Sequence, residues 1–172
     1  RSVLEGIVEE RARLAGIKSK ADRVFDTSDL TVHELRRAFM ELSRGGTKTR
    51  LMVTLLSFGY KHGVPLESDL LFDVRFLPNP HFVPRLRPQT GRDPGVQRYV
   101  DKSTSAKAFL EKSTDLLRFL IPQYADEGKS YLTIGVGCTG GRHRSVVIVE
   151  RLRRRLTGLD GVRLRVKHRD VL

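Results

Sequence analysis

The stretch Tyr131-Leu-Thr-Ile-Gly-Val-Gly-Cys-Thr-Gly-Gly-Arg-His-Arg-Ser145, running on into Val-Val-Ile-Val-Glu150, leaves few ways for its surroundings to fold. Its apolar run predicts a buried strand, its glycines a sharp turn, and the residues beyond a helix with Arg142, His143, Arg144 and Ser145 in the first turn. A strand that passes directly into a helix belongs to alternating α/β architecture, in which ligands sit at the carboxyl ends of the strands. The junction leaves several backbone N–H groups unpaired at the helix N-terminus. Together with the positive end of the helix dipole, these donors attract an anion. Gly137, Gly140 and Gly141 allow backbone angles and close approach that side chains block. Arg144 adds a planar fork of donors suited to phosphate oxygens. The segment reads as a phosphate cradle.

The remaining periodicities supply its neighbours. Leu4, Ile7, Val8 and Leu14 predict an amphipathic helix over 2–18, and Arg23-Val-Phe-Asp26 a short strand. Thr31 and Glu34 have capping-box spacing, with Leu30 and Leu35 placed as its staple, so a helix is expected to about Leu42. Ser43-Arg-Gly-Gly46 reads as its C-cap and a linker. Arg50–Ser57 is continuously apolar, as in a strand covered on both faces, and leads into the loop Phe58–Gly63 with two basic groups. Leu70–Leu77 predicts another strand, followed by a proline-punctuated loop carrying Arg85, Arg87, Thr90 and Arg92. Phe109, Leu110, Leu116, Leu117, Leu120 and Ile121 mark the inner face of a helix over about Ser103–Tyr124. After a turn at Leu159-Asp-Gly161, a last strand places Val162, Leu164, Val166 and His168 on one face and Arg163, Arg165, Lys167 and Arg169 on the other. The fold class expected is α/β, a mostly parallel sheet flanked by helices. Residues 47–172 form one domain, and 1–46 a separate helical piece with a linker.

Charge points to a partner. The net charge is +12, and residues 131–172 hold ten Lys/Arg against three Asp/Glu, so more than half the excess surrounds the glycine turn. Such a surplus suits a polyanion. Apolar content of 39% argues for a folded, globular chain, and no apolar run approaches membrane-spanning length. The single cysteine, Cys138, excludes an internal disulfide and suits a reducing cytoplasm. Cys138-Thr-Gly-Gly-Arg-His-Arg-Ser145 also fits the C-x2-G-x2-R-[S/T] spacing of cysteine-dependent phosphatases, with Cys138 as nucleophile, Arg144 on the equatorial oxygens and Asp73 as general acid. Those enzymes usually carry histidine before the cysteine; Gly137 stands there instead. Asp73 and Arg75 at a strand end are equally a salt bridge closing that strand. His81, His143 and Cys138 lack the paired spacing of metal ligands, and no Walker G-x4-G-K-[S/T] sequence is present.

Three segments, Asp73-Val-Arg-Phe-Leu-Pro-Asn-Pro-His81, Leu86-Arg-Pro-Gln-Thr-Gly91 and Gly137–Ser145, with Ser57-Phe-Gly-Tyr-Lys61, resemble the carboxy-terminal domain of the RapZ (YvcJ) family of RNase adapter proteins. The resemblance covers roughly residues 48–170. It implies a regulatory binding domain with a fold similar to a subdomain of phosphofructokinase, and makes residues 1–46 the tail of a P-loop kinase-like domain. ATP or GTP then belongs only to the part upstream of Arg1, and no cofactor to the residues present. The implied ligands are an amino-sugar phosphate (glucosamine-6-phosphate) or a nucleotide sugar, and small regulatory RNA. An endoribonuclease and regulatory proteins are implied as further partners, with assembly into dimers or tetramers and no membrane role. Carried over by motif, the sugar-phosphate site falls on Asp73, Cys138, Thr139, Gly140, Gly141, His143 and Arg144. RNA contacts fall on Lys61, Arg75, His81, Arg87, Tyr131, Arg142 and Arg144. The sequence ends at His168-Arg-Asp-Val-Leu172, without the basic tail of enterobacterial members. Both lines of reasoning meet in one cradle shared by metabolite and RNA phosphate.

Overall fold

Leu51–Gly59 (β1), Leu70–Asp73 (β2), Tyr131–Cys138 (β3) and Val162–His168 (β4) form one four-stranded sheet in the order β2-β3-β1-β4. Every pairing is parallel: β1 runs beside β3 from Met52↔Tyr131 to Gly59↔Cys138, and beside β4 from Leu51↔Val162 to Ser57↔His168. β2 joins the other edge of β3, from Leu70↔Ile134 to Asp73↔Gly137. The structure, a computed structural model, describes residues 2–18, 20–21, 24–32, 34–35, 38–39 and 51–171. Its chain divides into two compact units, Arg1–Thr47 and Lys48–Leu172.

Within the larger unit the helices are Pro94–Asp101 (α2), Thr104–Asp126 (α3) and Arg144–Leu156 (α4). Ser103 caps α3, its Oγ accepting from the Ala106 N–H at 3.3 Å. Ala106, Leu110, Leu117 and Ile121 then recur at helical spacing on the buried side. Leu116, expected on that side, is 46% exposed, because it sits a helical step away from the stripe. α2 lay hidden in the expected proline-rich loop; Pro94 at its first turn and Val96 with Val100 one turn apart form it. All three helices pack into one cluster with Leu51, Val53 and Leu55 of β1 and Leu132, Ile134, Val136 and Cys138 of β3.

The opposite face is treated differently, and here expectation and structure part. Leu56 and Phe58 are buried on it, but not under one of the three helices; Phe58 lies against the Tyr60 ring of the short 3-10 turn Tyr60–His62, 4.9 Å between ring centres. The Phe58 ring lies so close to Gly137 that a Cβ there would come within 2.5 Å of its edge. Towards the amino ends of the strands this face is uncovered: Met52 and Thr54 are half-buried and Tyr131 exposed. β1 is thus covered on both faces only over its carboxyl half. β2 is also shorter than expected, ending at Asp73. The Val74 N–H still donates to Gly137 O at 2.9 Å, but Leu77 N–H turns back to Val74 O, so Phe76 and Leu77 belong to a turn.

In the smaller unit Val3–Lys18 is helical (α1), opened by a reciprocal capping box in which Ser2 N–H donates to Glu5 and Glu5 N–H to Ser2 Oγ. None of its residues is buried. The Thr31–Glu34 box forms as expected. Residues 24–26 are not a strand; Phe25 instead stacks on Phe39, 6.5 Å between ring centres. The expected end of that helix near Leu42 and the Ser43–Gly46 linker lie outside the described residues.

Candidate functional site

Three strand-end loops converge at the carboxyl edge of the sheet. The loop after β1 meets the loop after β3 through Lys61 N–H to Thr139 O, 3.2 Å. The turn after β2 is tied to α4 by Arg144, whose Nη1 donates to Arg75 O at 2.6 Å and Leu77 O at 3.0 Å. Its Nη2 donates to Thr139 Oγ1 at 3.1 Å. Arg144 is 5% exposed, so its guanidinium braces two loops as well as standing beside them.

The 139–143 turn needs its glycines for two distinct reasons. Gly141 has φ +73°, and a Cβ there would meet Gly59 N at 2.6 Å. A Cβ on Gly59 would strike Gly140 C at 2.5 Å. The two strand ends are therefore pressed backbone to backbone, which only glycine permits. Among the described residues, no protein acceptor pairs with the backbone N–H groups of 139–143, nor with those of Arg144, Ser145 and Val146 in the first turn of α4. Ser145 and Val146 are fully buried, so their N–H groups have lost water as well. The Lys61 ammonium stands over the turn, 4.0 Å from where a Gly140 Cβ would be.

The other expected residues fall into distinct places. Cys138 is 2% exposed and its Sγ faces Ser145 Oγ at 3.2 Å, on the core side of the turn. His143 is buried. Its Nε2 lies 2.7 Å from Gln89 O and must be the donor, and burial holds its pKa below the ordinary value. Arg142, exposed, donates to Pro88 O at 2.8 Å. Together these two tie the 86–91 segment, with exposed Arg87 and His81, against the turn; Arg87 Nε donates to His81 O. Asp73 and Arg75 form the salt bridge that closes the strand end, Arg75 Nη2 to Asp73 Oδ2 at 2.6 Å. That hydrogen bonding is the main reason the Asp73 carboxyl titrates below its usual range. The Arg75 guanidinium also lies over the Tyr60 ring, 4.3 Å from its centre. Tyr131 stands apart: it begins β3, seven residues and roughly 23 Å of extended strand from Cys138.

Sequence reasoning missed the clasp on the far side of the turn. Gly59 N–H donates to Asp170 Oδ2 at 2.6 Å, and Arg169 Nη2 donates to Gly59 O and Gly63 O. Burial alone pushes the Asp170 carboxyl up, but hydrogen bonds from Arg169 and the Gly59 N–H outweigh it, and the net shift is downward. His168 sits beneath, between Ser57 Oγ (2.7 Å from Nδ1) and Glu150 Oε1 (3.1 Å from Nε2). Among the described residues no group of three or more His, Cys, Asp or Glu is gathered to hold a metal ion, and no helix is long and apolar enough to cross a membrane.

Fold and edge together define a class: a small parallel α/β domain whose glycine-rich strand-to-helix junction gathers unpaired amides and cations at its carboxyl edge. The chain belongs to the RapZ family, since residues 51–172 match the RapZ C-terminal domain. Relatives extend the similarity along almost the whole chain. A nucleotide-binding protein of Geobacter sulfurreducens is 55% identical over 170 residues, covering 98% of this chain and 59% of the relative. Nucleotide-binding proteins of Rubrobacter xylanophilus (55% identical, 98% and 56% covered) and Acidobacterium capsulatum (50% identical, 98% and 55% covered) are similar. The chain spans a little over half the length of these relatives.

Proposed function

We propose that residues 48–172 act as a regulatory sensor that binds an amino-sugar phosphate, glucosamine-6-phosphate, or a nucleotide sugar at the 139–146 junction, and small regulatory RNA through the same cradle. The observation that carries this is the set of unpaired amides in the 139–143 turn, with the Lys61 ammonium over Gly140; the unpaired amides of Ser145 and Val146 are fully buried behind it. A dianion is the group that such donors and one nearby cation suit best. Gly140, Gly141 and Thr139 offer backbone donors, and Cys138 contributes its place in the turn rather than its thiol. Arg144 and His143 hold the loops, and Asp73, paired with Arg75, is the group that an amine or hydroxyl of the sugar would have to engage. Arg87, His81 and Arg142 extend the positive edge along which an RNA backbone would run. Supporting binding rather than turnover, the Cys138 thiol that a phosphatase would need faces Ser145 Oγ at 3.2 Å inside the core.

RNA partner, endoribonuclease and oligomer belong to the same proposal, as do an upstream nucleotide-binding part, to which the 1–46 piece would attach, and a cytoplasmic location. The test is calorimetric titration with a panel of amino-sugar phosphates and nucleotide sugars, followed by RNA competition. Heat with a phosphorylated sugar, none with the unphosphorylated one, and displacement by RNA are expected. Turnover of an aryl phosphate that is blocked by vanadate and lost in Cys138→Ser would instead support the enzyme.

A further inference from the structure

The cradle does not use the sheet face that the helices leave open. Register places three lateral rows on it. Arg163 lies beside Met52 and Tyr131, Arg165 beside Thr54 and Thr133, and Lys167 beside Leu56 and Gly135. None of these residues is acidic; Asp69, whose carboxylate accepts from the Thr133 N–H at 2.7 Å and pairs with Lys129, borders the second row at the β2 edge. Arg163, Arg165 and Lys167 are all exposed, and among the described residues none forms an ion pair or a side-chain hydrogen bond. Successive members stand two residues apart, roughly 6.6 Å along β4. Leu71 and Ser68 crowd the last row, where a Cβ on Gly135 would meet Leu71 at 2.6 Å. The first two rows have no such cover, and Tyr131 is 72% exposed at the far side, two strand spacings or about 10 Å from β4.

We infer that this open face is a second binding surface, for single-stranded nucleic acid, that leads into the cradle. The inference rests on reading the domain as an RNA binder. A row of three regularly spaced, unpaired cations on an extended strand tracks a phosphodiester backbone. An exposed aromatic on the same flat face, a base's reach away, offers a stacking platform. β4 runs on directly into Arg169, whose guanidinium holds Gly59 and Gly63 beside the glycine turn, so a strand laid along β4 arrives at the cradle. A second copy of this chain fits the face poorly, because it would set three cations against three of the same sign.

The test compares four proteins of the full chain, parent, Arg163→Gln/Arg165→Gln/Lys167→Gln, Tyr131→Ala and Tyr131→Phe, with Lys61→Ala as a control in the cradle. Binding of a fluorescein-labelled unstructured RNA oligonucleotide is read by anisotropy across a salt series, and glucosamine-6-phosphate binding by calorimetry. The triple variant is expected to weaken RNA on the order of tenfold at moderate salt, and to flatten the slope of log K against log salt by about 2, for three lost contacts. Tyr131→Ala weakens RNA roughly 5- to 100-fold, whereas Tyr131→Phe keeps the stacking and the affinity. Sugar-phosphate heat is unchanged in all four. If the triple variant binds RNA with the parent's affinity and slope while Lys61→Ala weakens it, the open face is wrong and RNA binding stands. If the folded parent binds no RNA, both fail. A triple variant that changes sedimentation mass but not RNA affinity makes the face an interface between copies and overturns the proposal.

Discussion

Gly140 and Gly141 are neighbours in one turn, yet the structure demands very different consequences from adding one methyl to each. At Gly141 the backbone is left-handed, φ +73°, which costs an alanine about 1–2 kcal/mol. The new Cβ would also sit 2.6 Å from Gly59 N and 2.8 Å from Asp170 Oδ2. The first of these is main chain at a strand end, which cannot yield without opening the β1–β3 pairing, and such overpacking adds about 1–3 kcal/mol. The total for Gly141→Ala is about 3 kcal/mol, which at a urea slope near 2 kcal/mol/M lowers the unfolding midpoint by roughly 1.5 M. At Gly140 φ is not positive, and the nearest atom to the new Cβ is Lys61 Cε at 3.8 Å, an ordinary contact. Gly140→Ala therefore changes stability by less than about 1 kcal/mol. Its methyl does fill the floor beneath the Lys61 ammonium, where an anion oxygen would bridge amide and amine. Losing one such charge-assisted bond lowers sugar-phosphate affinity on the order of tenfold. Urea unfolding followed by circular dichroism, and calorimetry on the same samples, separate the two effects. Equal midpoints for the two variants would refute the packing argument, and undiminished affinity in Gly140→Ala would refute the placement of the anion.

Arg144→Ala removes the donors to Arg75 O and Leu77 O and is expected to cost about 2–5 kcal/mol, read by urea unfolding; a neutral result would make the guanidinium a solvent-facing ligand group instead of a brace. Cys138→Ala deletes one buried sulfur, costs about 1 kcal/mol and leaves sugar-phosphate heat unchanged; loss of binding would return the thiol to the site. His143 and His168 both have pKa values lowered in the fold, chiefly by burial. Their contribution is fully present above the unfolded value of about 6.5 and is lost as pH falls through the folded values. Unfolding midpoints should therefore drop on acidification below about pH 6.5, with a shallower drop in His168→Gln, and a flat profile would contradict the burial of both rings.

How much of this was legible in the chain depends on how local the cause is. The cradle was: a strand, a glycine turn and a helix follow from residues 131–150 alone, and so does the alternation of β4. The Ser103 cap and the Thr31–Glu34 box were equally readable, being three-residue geometry. What escaped reading was set by contacts distant in sequence. β2 stops at Asp73 because Leu77 turns inward and Phe76 packs on Phe109, 5.8 Å between rings, which an apolar run cannot distinguish from a longer strand. The apolar run of β1 reads as covered on both faces along its length, whereas only its carboxyl half is, with Phe58 against Tyr60. The bonds of Arg144 to carbonyls some 70 residues earlier leave no mark on the turn's own sequence. Asp170 beside Gly59 spans 111 residues, and no pattern in either neighbourhood announces it. Tyr131 shows the converse: a residue grouped with the RNA contacts by motif lies at the opposite end of its strand from the cradle.

The proposal on which the rest depends is that the unpaired amides of the 139–143 turn receive a phosphate. Backbone amide resonances followed by ¹H–¹⁵N NMR during titration with glucosamine-6-phosphate test it residue by residue. The account predicts downfield amide-proton shifts concentrated at Thr139–His143, saturating together, with inorganic phosphate reproducing the pattern more weakly. Saturable shifts that bypass these amides, or none at all while the protein is folded, would contradict it.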